Sequence, residues 1–337
     1  NLASRSAGVT VVIVAISKNA GTVRRLFSLA ELERDVVKET ANINPYLVAA
    51  ANIIVQKASK PLGEKAEMSF GNKPVDGGNL LLTSDEVEKL DLTPKQRDRF
   101  IRRIYGSAEF IRGLSRYCIW IEDQHIEEAI HIDTIRQRIE STRAMRLASR
   151  DKSANEMAKR AHQMREMNIG LSQTIAVPAI TSENRDFLPC GLLNDKTTVT
   201  NKVYALYDAP IWNMALIASR LHWVWIGTVC ARMRTDFSYS NTIGWNTFPV
   251  PSLTEKNKAD LTRCAEDILI VRESHFPATI ADLYDPDTMP ANLRAAHNRN
   301  DEVLERIYIG RRFRNDTERL EKLFELYTRM TKSKGAA

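Results

Sequence analysis

The sequence predicts an α+β fold on three observations. Continuous β-branched runs such as "VTVVIVAI" (9–16), "QTIAVPAI" (173–180) and "TTVTNKVYALY" (197–207) read as strands. Beyond the paired prolines Pro249 and Pro251 the apolar residues recur at helical spacing only. Finally, 337 residues exceed what one core holds, since cores stop growing beyond ~250–300 residues, so two or three domains are expected.

Taken in order, "VTVVIVAI" and "TVRRLFS" (22–28) flank an Asn-Ala-Gly turn and resemble the closing hairpin of a larger sheet. The next fifteen residues are charged and irregular, with a capping-box pattern at Ser28 and Glu31, and read as a linker. From about 44 to 92 short apolar runs alternate with Gly/Pro/Asp turns, notably "SFGNKPVDGGN" (69–79), as expected of β structure with long loops. "LTPKQRDRFIRRIYGS" predicts a helix with Thr93 as N-cap, Pro94 at its first position, Gln96 completing a capping box and Gly106 as its stop. "RYCIWI" (116–121) reads as a strand and "HIEEAIHIDTIRQRIESTRAMRLAS" as a helix. "RDFLPCGLL" (185–193) adds a further strand between the two runs named above, and "IWNMALIASRLHWVWIGTVC" (211–230) is a helix. Asn213, Arg220 and His222 near its middle make it a buried helix rather than a membrane span. "RTDFSYS" is short and extended, and three amphipathic helices follow.

Several chemistries are excluded. Cys118, Cys190, Cys230 and Cys264 are scattered without the short spacings of a zinc or redox site, and read as buried thiols in a reducing cytoplasm. No glycine-rich phosphate or methyl-donor loop follows a strand, and no Gly-x-Ser-x-Gly elbow occurs. No lysine has Asp or Glu two positions before it, which removes the usual nuclease metal cluster. His125 and His131 sit six apart, on different faces of a helix, so no metal and no catalytic residue is assigned. The N-terminus has no secretory leader pattern and begins inside a β-branched run without methionine, so a fragment of a longer cytoplasmic protein is expected.

Asn44-Pro45-Tyr46 is one proline short of the tetrad with which amino-group DNA methyltransferases hold a flipped base. With no methyl-donor loop before it, we read it as an extended Asn-Pro turn with Tyr46 packed, not as a catalytic site. The charge is more informative. Residues 95–165 hold 16 Lys/Arg against 10 Asp/Glu, which alone equals the net charge of +6, and arginine predominates. Such a run is either a solvated helix face or a phosphate-binding one.

The stretches "NINPYLVAAANIIVQKASKPL", "EMSFGNKPVDGGNLLLTSDE", "FIRRIYGSAEFIRG", "CIWIED", "YSNTIGWNTFPVPSLTE" and "TIADLYDPDTMPANLRAAH", in this order, resemble the C-terminal half of MmeI-type restriction-modification enzymes and related adenine-specific DNA methyltransferases. That resemblance implies three segments: 1–43, the last hairpin of a methyltransferase sheet and a linker; 44–258, a mixed α/β DNA target-recognition domain; and 259–337, a small helical C-terminal domain. It implies double-stranded DNA and the upstream methyltransferase domain as partners and no membrane. S-adenosylmethionine would serve the parent enzyme, and this segment would hold no cofactor and no catalytic residue.

The resemblance also places base reading in "RMRTDFSYS" (232–240). By strand periodicity Arg234, Asp236 and Ser238 share one face, opposite Thr235, Phe237 and Tyr239. Arginine bonds both acceptors of guanine and a carboxylate accepts from the cytosine amine, so the pair suits one G·C base pair; the alternative is a solvated ion pair. Lys202 matches a second reading position that works with Ser238. Arg102, Arg103, Arg136, Arg143 and Arg146, together with Arg97, Arg99 and Arg138, are candidate phosphate contacts, of which one helix stripe displays only some. Two rival readings are a helical protein–protein assembly domain and an enzyme with a site around His222, Trp223 and Trp225.

Overall fold

A computed structural model describes residues 13–15, 18, 21, 23–29 and 35–334, and the chain divides between residues 54 and 55 into two compact units. In the first unit β1 (Arg24–Leu29) pairs antiparallel with β2 (Asp35–Thr40), Arg24 opposite Thr40 and Leu29 opposite Asp35. The segment expected as a linker therefore supplies the second strand of the hairpin. Residues 13–15 are not in a strand, the rest of the 9–16 run except these lies outside the described residues, and so does Glu31 of the expected capping box. At Asn44-Pro45-Tyr46 the Asn44 side-chain oxygen accepts from the amides of Tyr46 and Val48, each at 3.0 Å, and Leu47 turns the chain with φ of 60°. Its acceptor is spent on closing a turn.

In the second unit the elements up to residue 156 are, in order, β3 (Ser69–Phe70), β4 (Leu81–Leu82), α1 (Ser84–Glu88), α2 (Pro94–Phe100), β5 (Ile101–Tyr105), α3 (Ser107–Arg112), β6 (Tyr117–Ile119), α4 (Ile126–Ile130), α5 (Asp133–Ala148) and α6 (Lys152–Glu156). The capping box at Thr93 and Gln96 is present, but α2 ends at Phe100 and the chain continues as a strand where a helix to Gly106 was expected. β5 runs parallel to β10 (Thr197–Val199) and antiparallel to β6, with β4 beyond. Pairing on both sides, with Ile101 and Ile104 buried, outweighs the local helix propensity. Leu82 and Ile119 of this sheet, with Leu80, Ile121 and Phe100 of α2 beside it, cluster with Ile135 and Ile139 of α5.

A second sheet has the order β3-β11-β7-β9, built on β7 (Gln173–Pro178), β9 (Gly191–Asn194) and β11 (Val203–Tyr207). The third joins β8 (Ile180–Thr181), β12 (Ala231–Met233) and β13 (Asp236–Ser238) in the order β12-β13-β8. The apolar 211–230 segment is two helices, α7 (Trp212–Ile217) and α8 (Arg220–Val229), because Ser219 breaks the run: its hydroxyl donates to the Leu216 carbonyl and caps α8 by accepting from the His222 amide. α9 (Glu255–Glu273), α10 (Ile280–Leu283), α11 (Ala291–Ile309) and α12 (Asp316–Lys334) complete the chain. α9, α11 and α12 pack onto α7 and α8, with Trp225 against Phe324 at 5.2 Å, while α10 packs against α3; the Tyr308 hydroxyl donates to the Pro249 carbonyl at 2.6 Å. The mixture of sheets and helices fits the α+β class.

Candidate nucleic-acid interface

β12 and β13 form a hairpin whose last paired residues are Met233 and Asp236, leaving Arg234 and Thr235 as a two-residue turn. Along β13 the pleat alternates. Phe237 and Tyr239 are buried, while Asp236 and Ser238 are half-buried on the other face. Phe237 lies edge-on to Trp223 of α8 at 4.8 Å, and the Tyr239 hydroxyl meets His222 Nε2 at 3.0 Å. Two aromatic rings therefore nail one face to α8 and leave the other outward. Arg234 departs from the expected arrangement. It is not on the strand face with Asp236 and Ser238 but at the exposed turn, with a left-handed φ of 60°, because the chain reverses there. Among the described residues no ion pair joins Arg234 to Asp236, so the solvated-pair alternative is not what the side chains form.

Lys202 reaches the same neighbourhood by another route. It is exposed in the turn from β10 to β11, and among the described residues its ammonium has no hydrogen-bond partner. Its carbonyl accepts from the Ala179 amide at 3.0 Å, and the Ala179 carbonyl accepts from Tyr239 at 2.9 Å. Ser238 itself is registered with Ile180, the next residue along. From the other side the turn is held by Gly71 and Asn72: Gly71 donates to Val203 and Asn201 donates to Asn72, each at 3.0 Å. The approach is close enough that a Cβ on Gly71 would stand 2.5 Å from the carbonyl oxygens of Val199 and Thr200.

A cation that sequence reasoning overlooked lies beside this hairpin. Arg185, read as part of a strand, sits in the loop after β8 and donates to Thr181 Oγ1 at 3.1 Å. Burial pulls its guanidinium below the usual range, and Asp236 and Asp285 oppose that shift. The polar run Ser182-Glu183-Asn184-Arg185-Asp186 ahead of "FLPC" is the sequence hint of a loop there.

The arginine run divides sharply. Arg146 is fully buried and donates to five carbonyls, those of Pro74, Val75, Met157, Arg160 and Gln163, at 2.7–3.0 Å. It is a structural clamp, not a phosphate contact, because every direction in which the guanidinium donates is taken. Arg138 is tied to Glu86 and the Asn79 carbonyl, Arg136 to Asp133, Arg97 to Glu88 and Arg99 to Glu128. Arg143 is exposed and has no ion pair among the described residues. Arg102 and Arg103 lie on β5 with Nε buried and unpartnered. Arg103 rests 4.9 Å from the Tyr105 ring centre, and Arg102 lines a polar cleft of about 370 Å³ with Lys95, Arg99 and Trp120.

The rival site at His222 is core. The ring is completely buried between Tyr239, Trp245 and Phe248, and burial lowers its pKa to about 3, with the Lys65 charge adding to the shift. Trp225 is equally buried, and its indole donates to Thr247 Oγ1 at 3.2 Å. Among the described residues there is no group of three His, Cys, Asp or Glu side chains that could hold a metal ion, and no helix long and apolar enough to cross a membrane.

The fold and this surface define a mixed α+β recognition module, with charged side chains on a hairpin whose other face is anchored to an apolar helix, closed by a C-terminal helical bundle. The chain belongs to the MmeI family: residues 49–252 match that family's target recognition domain and residues 253–334 its C-terminal domain. It is 36% identical over 336 residues to DNA methyltransferase A of Bacillus subtilis (strain 168), an alignment spanning 98% of this chain and 37% of that protein. The solved structure of the Type IIL restriction-modification enzyme MmeI in complex with DNA superimposes with a TM-score of 0.82 at 28% identity, covering 93% of this chain and 42% of that one. The chain thus spans less than half the length of each of these two relatives.

Proposed function

We propose that this chain is the sequence-specific duplex DNA recognition segment of an adenine-amino DNA methyltransferase, one fused to a restriction activity or standing alone. The observation that carries this reading is the hairpin. Arg234, Asp236 and Ser238 are presented on a scaffold that two buried rings hold rigid, and the cation and the carboxylate are not consumed by each other. Side chains intended for bidentate contacts to base edges need that rigidity and that freedom from internal partners. Lys202 joins them through Ala179, and Arg102, Arg103 and Arg143, with Arg136 once released from Asp133, supply phosphate contacts that set register without reading sequence.

Methyl transfer belongs to the parent polypeptide, with S-adenosylmethionine as donor and the upstream methyltransferase domain as partner. The residues described here do not fit that cofactor: no glycine-rich loop follows a strand, and the Asn44 side-chain oxygen is already bonded to its own turn. No step of the transfer is assigned to this chain.

The test is a competition gel shift with the full-length protein, over about 50–200 mM salt. Exchanging Arg234 and Asp236 is expected to change base preference at one position of the site. Unchanged preference with uniformly weaker binding would sink the reading role. Incorporation of labelled methyl groups into adenine by residues 1–337 alone would sink the assignment of catalysis to the parent.

A further inference from the structure

The loop from Ser182 to Cys190 is gripped on two sides. Towards the hairpin, Glu183 pairs with Arg232, whose guanidinium lies over the Phe237 ring at 4.5 Å. Arg185 donates to Thr181, and Thr181 is the cross-strand partner of Phe237, the residue between Asp236 and Ser238. Towards the C-terminal helices, the Asp186 carboxylate accepts from Arg294 of α11 at 2.6 Å and its carbonyl accepts from Arg220 of α8 at 3.1 Å. Phe187 stacks on the His297 ring of α11, centroids 4.2 Å apart and 19° from parallel. Arg272 of α9 donates to the Cys190 carbonyl at 2.6 Å.

The grip itself is well supported. The Arg220 guanidinium forks onto the Asp316 carboxylate of α12 at 2.6 and 3.2 Å, and its amide donates to Asp301 of α11 at 2.7 Å. A lone exposed ion pair contributes little to position or stability. Here contacts from α8, α9 and α11 converge on Asp186, Phe187 and Cys190, which leaves the loop little freedom to move as a unit. The loop and α8 each connect the outward hairpin to the C-terminal bundle: α8 does so through Trp223 on Phe237 and Trp225 on Phe324, and the loop adds a second route that reaches Arg232 and Thr181.

We propose that the C-terminal helices set the geometry of the reading hairpin through this loop, with Asp186 and Arg294 as positioning residues. The inference rests on the reading function proposed above and assigns the C-terminal domain a part in base discrimination without any contact to DNA of its own. Shifting the loop moves Arg232 and Thr181, hence Phe237, and tilts Asp236 and Ser238 relative to the groove.

In the full-length protein, Arg294→Met, Arg294→Lys and Asp186→Asn are compared with the parent against duplexes carrying each base pair at the position read by the hairpin. Arg294→Met and Asp186→Asn should each reduce discrimination among base pairs by about tenfold, within the range of one bidentate base contact. The slope of affinity against salt should stay unchanged, because no phosphate contact is lost. Arg294→Lys, which keeps the charge, should recover part of the discrimination. Asp186→Asn preserves the side chain's shape and guards against a folding failure of the Arg294 variants. Parental discrimination in variants that merely melt at lower temperature overturns the proposal. The Arg234/Asp236 exchange is run alongside. If it changes base choice while Arg294→Met does not, positioning alone is refuted; if neither changes it, the reading function falls and this inference with it.

Discussion

Lys202 and Tyr239 are tied through a single residue: the Ala179 amide donates to the carbonyl of Lys202 and the Ala179 carbonyl accepts the amide of Tyr239, at 3.0 and 2.9 Å. The turn between β10 and β11 is thereby docked beside β8 and β13, although residues 203–235 separate it from β13 in sequence. A reading role for Lys202 and a backbone role for Arg143 make different demands, and both are measurable. Lys202→Ala should relax base preference at one position and leave the salt slope intact. Arg143→Ala should weaken binding to all sequences alike and lower the log–log salt slope by about one. The reverse pattern in salt titrations of the full-length protein would exchange the two roles.

Arg146 should behave as a folding residue. Arg146→Met leaves five buried carbonyls without their donor. A loss of at least ~3 kcal/mol is expected, read from the urea midpoint. Below its melting range the variant should show the parental salt slope. A normally stable variant with a shallower slope would return Arg146 to the phosphate contacts.

Gly71→Ala tests whether the Lys202 turn depends on close backbone approach. The added methyl collides with carbonyl oxygens rather than a flexible side chain, so the strands must separate. About 1–3 kcal/mol of destabilisation is expected, together with weaker discrimination at the Lys202-dependent position. A neutral midpoint would show that the loop yields freely.

Three buried groups shape the response to acid. Burial lowers His222 and His297 to about 3 from 6.5, so below pH 6.5 the unfolded chain takes up protons that the folded rings refuse, and stability falls with pH. Asp301 acts oppositely: raised to about 7 from 3.8, chiefly by burial, it holds a proton when folded that the unfolded chain releases, so its contribution is lost as pH rises from about 4 to 7. Two histidines against one aspartate leave a net fall of about 1 kcal/mol per pH unit between pH 6.5 and 5. His222→Gln should remove most of that slope, measured as the urea midpoint at pH 5 and 6.5. An unaltered slope would mean that His222 is not the neutral core residue its packing describes.

Local signals were legible wherever the physics is local. Thr93, Pro94 and Gln96 announce α2 correctly, because a capping box is a contest among four neighbouring residues. The stop at Gly106 fails because β5 owes its existence to residues 197–199 and 117–119, and no window around Ile101 contains them. β2, which was read as linker, is hidden for a different reason: its partner β1 lies close in sequence, but the charged run "DVVKET" lacks the apolar pattern of a strand. In the arginine run, counting charges cannot separate Arg143 on the surface from Arg146 three positions later in the core; only the carbonyls of 74, 75, 157, 160 and 163 make that difference. At the hairpin, alternation placed Asp236 and Ser238 together, but the turn that lifts Arg234 off their face depends on where pairing stops. Arg185 was invisible because its importance comes from a loop held by helices a hundred residues downstream.

The left-handed backbone at Arg234 restricts more than orientation. β-branched side chains are strongly disfavoured at a φ of 60°, whereas glycine, asparagine and aspartate enter easily and unbranched residues such as arginine do so at a cost of about 1–2 kcal/mol. If new target sequences arise by substitution at this turn, the available alphabet lacks valine, isoleucine and threonine. Under the proposed reading role, methyl-on-thymine contacts through those three residues would therefore be closed to position 234.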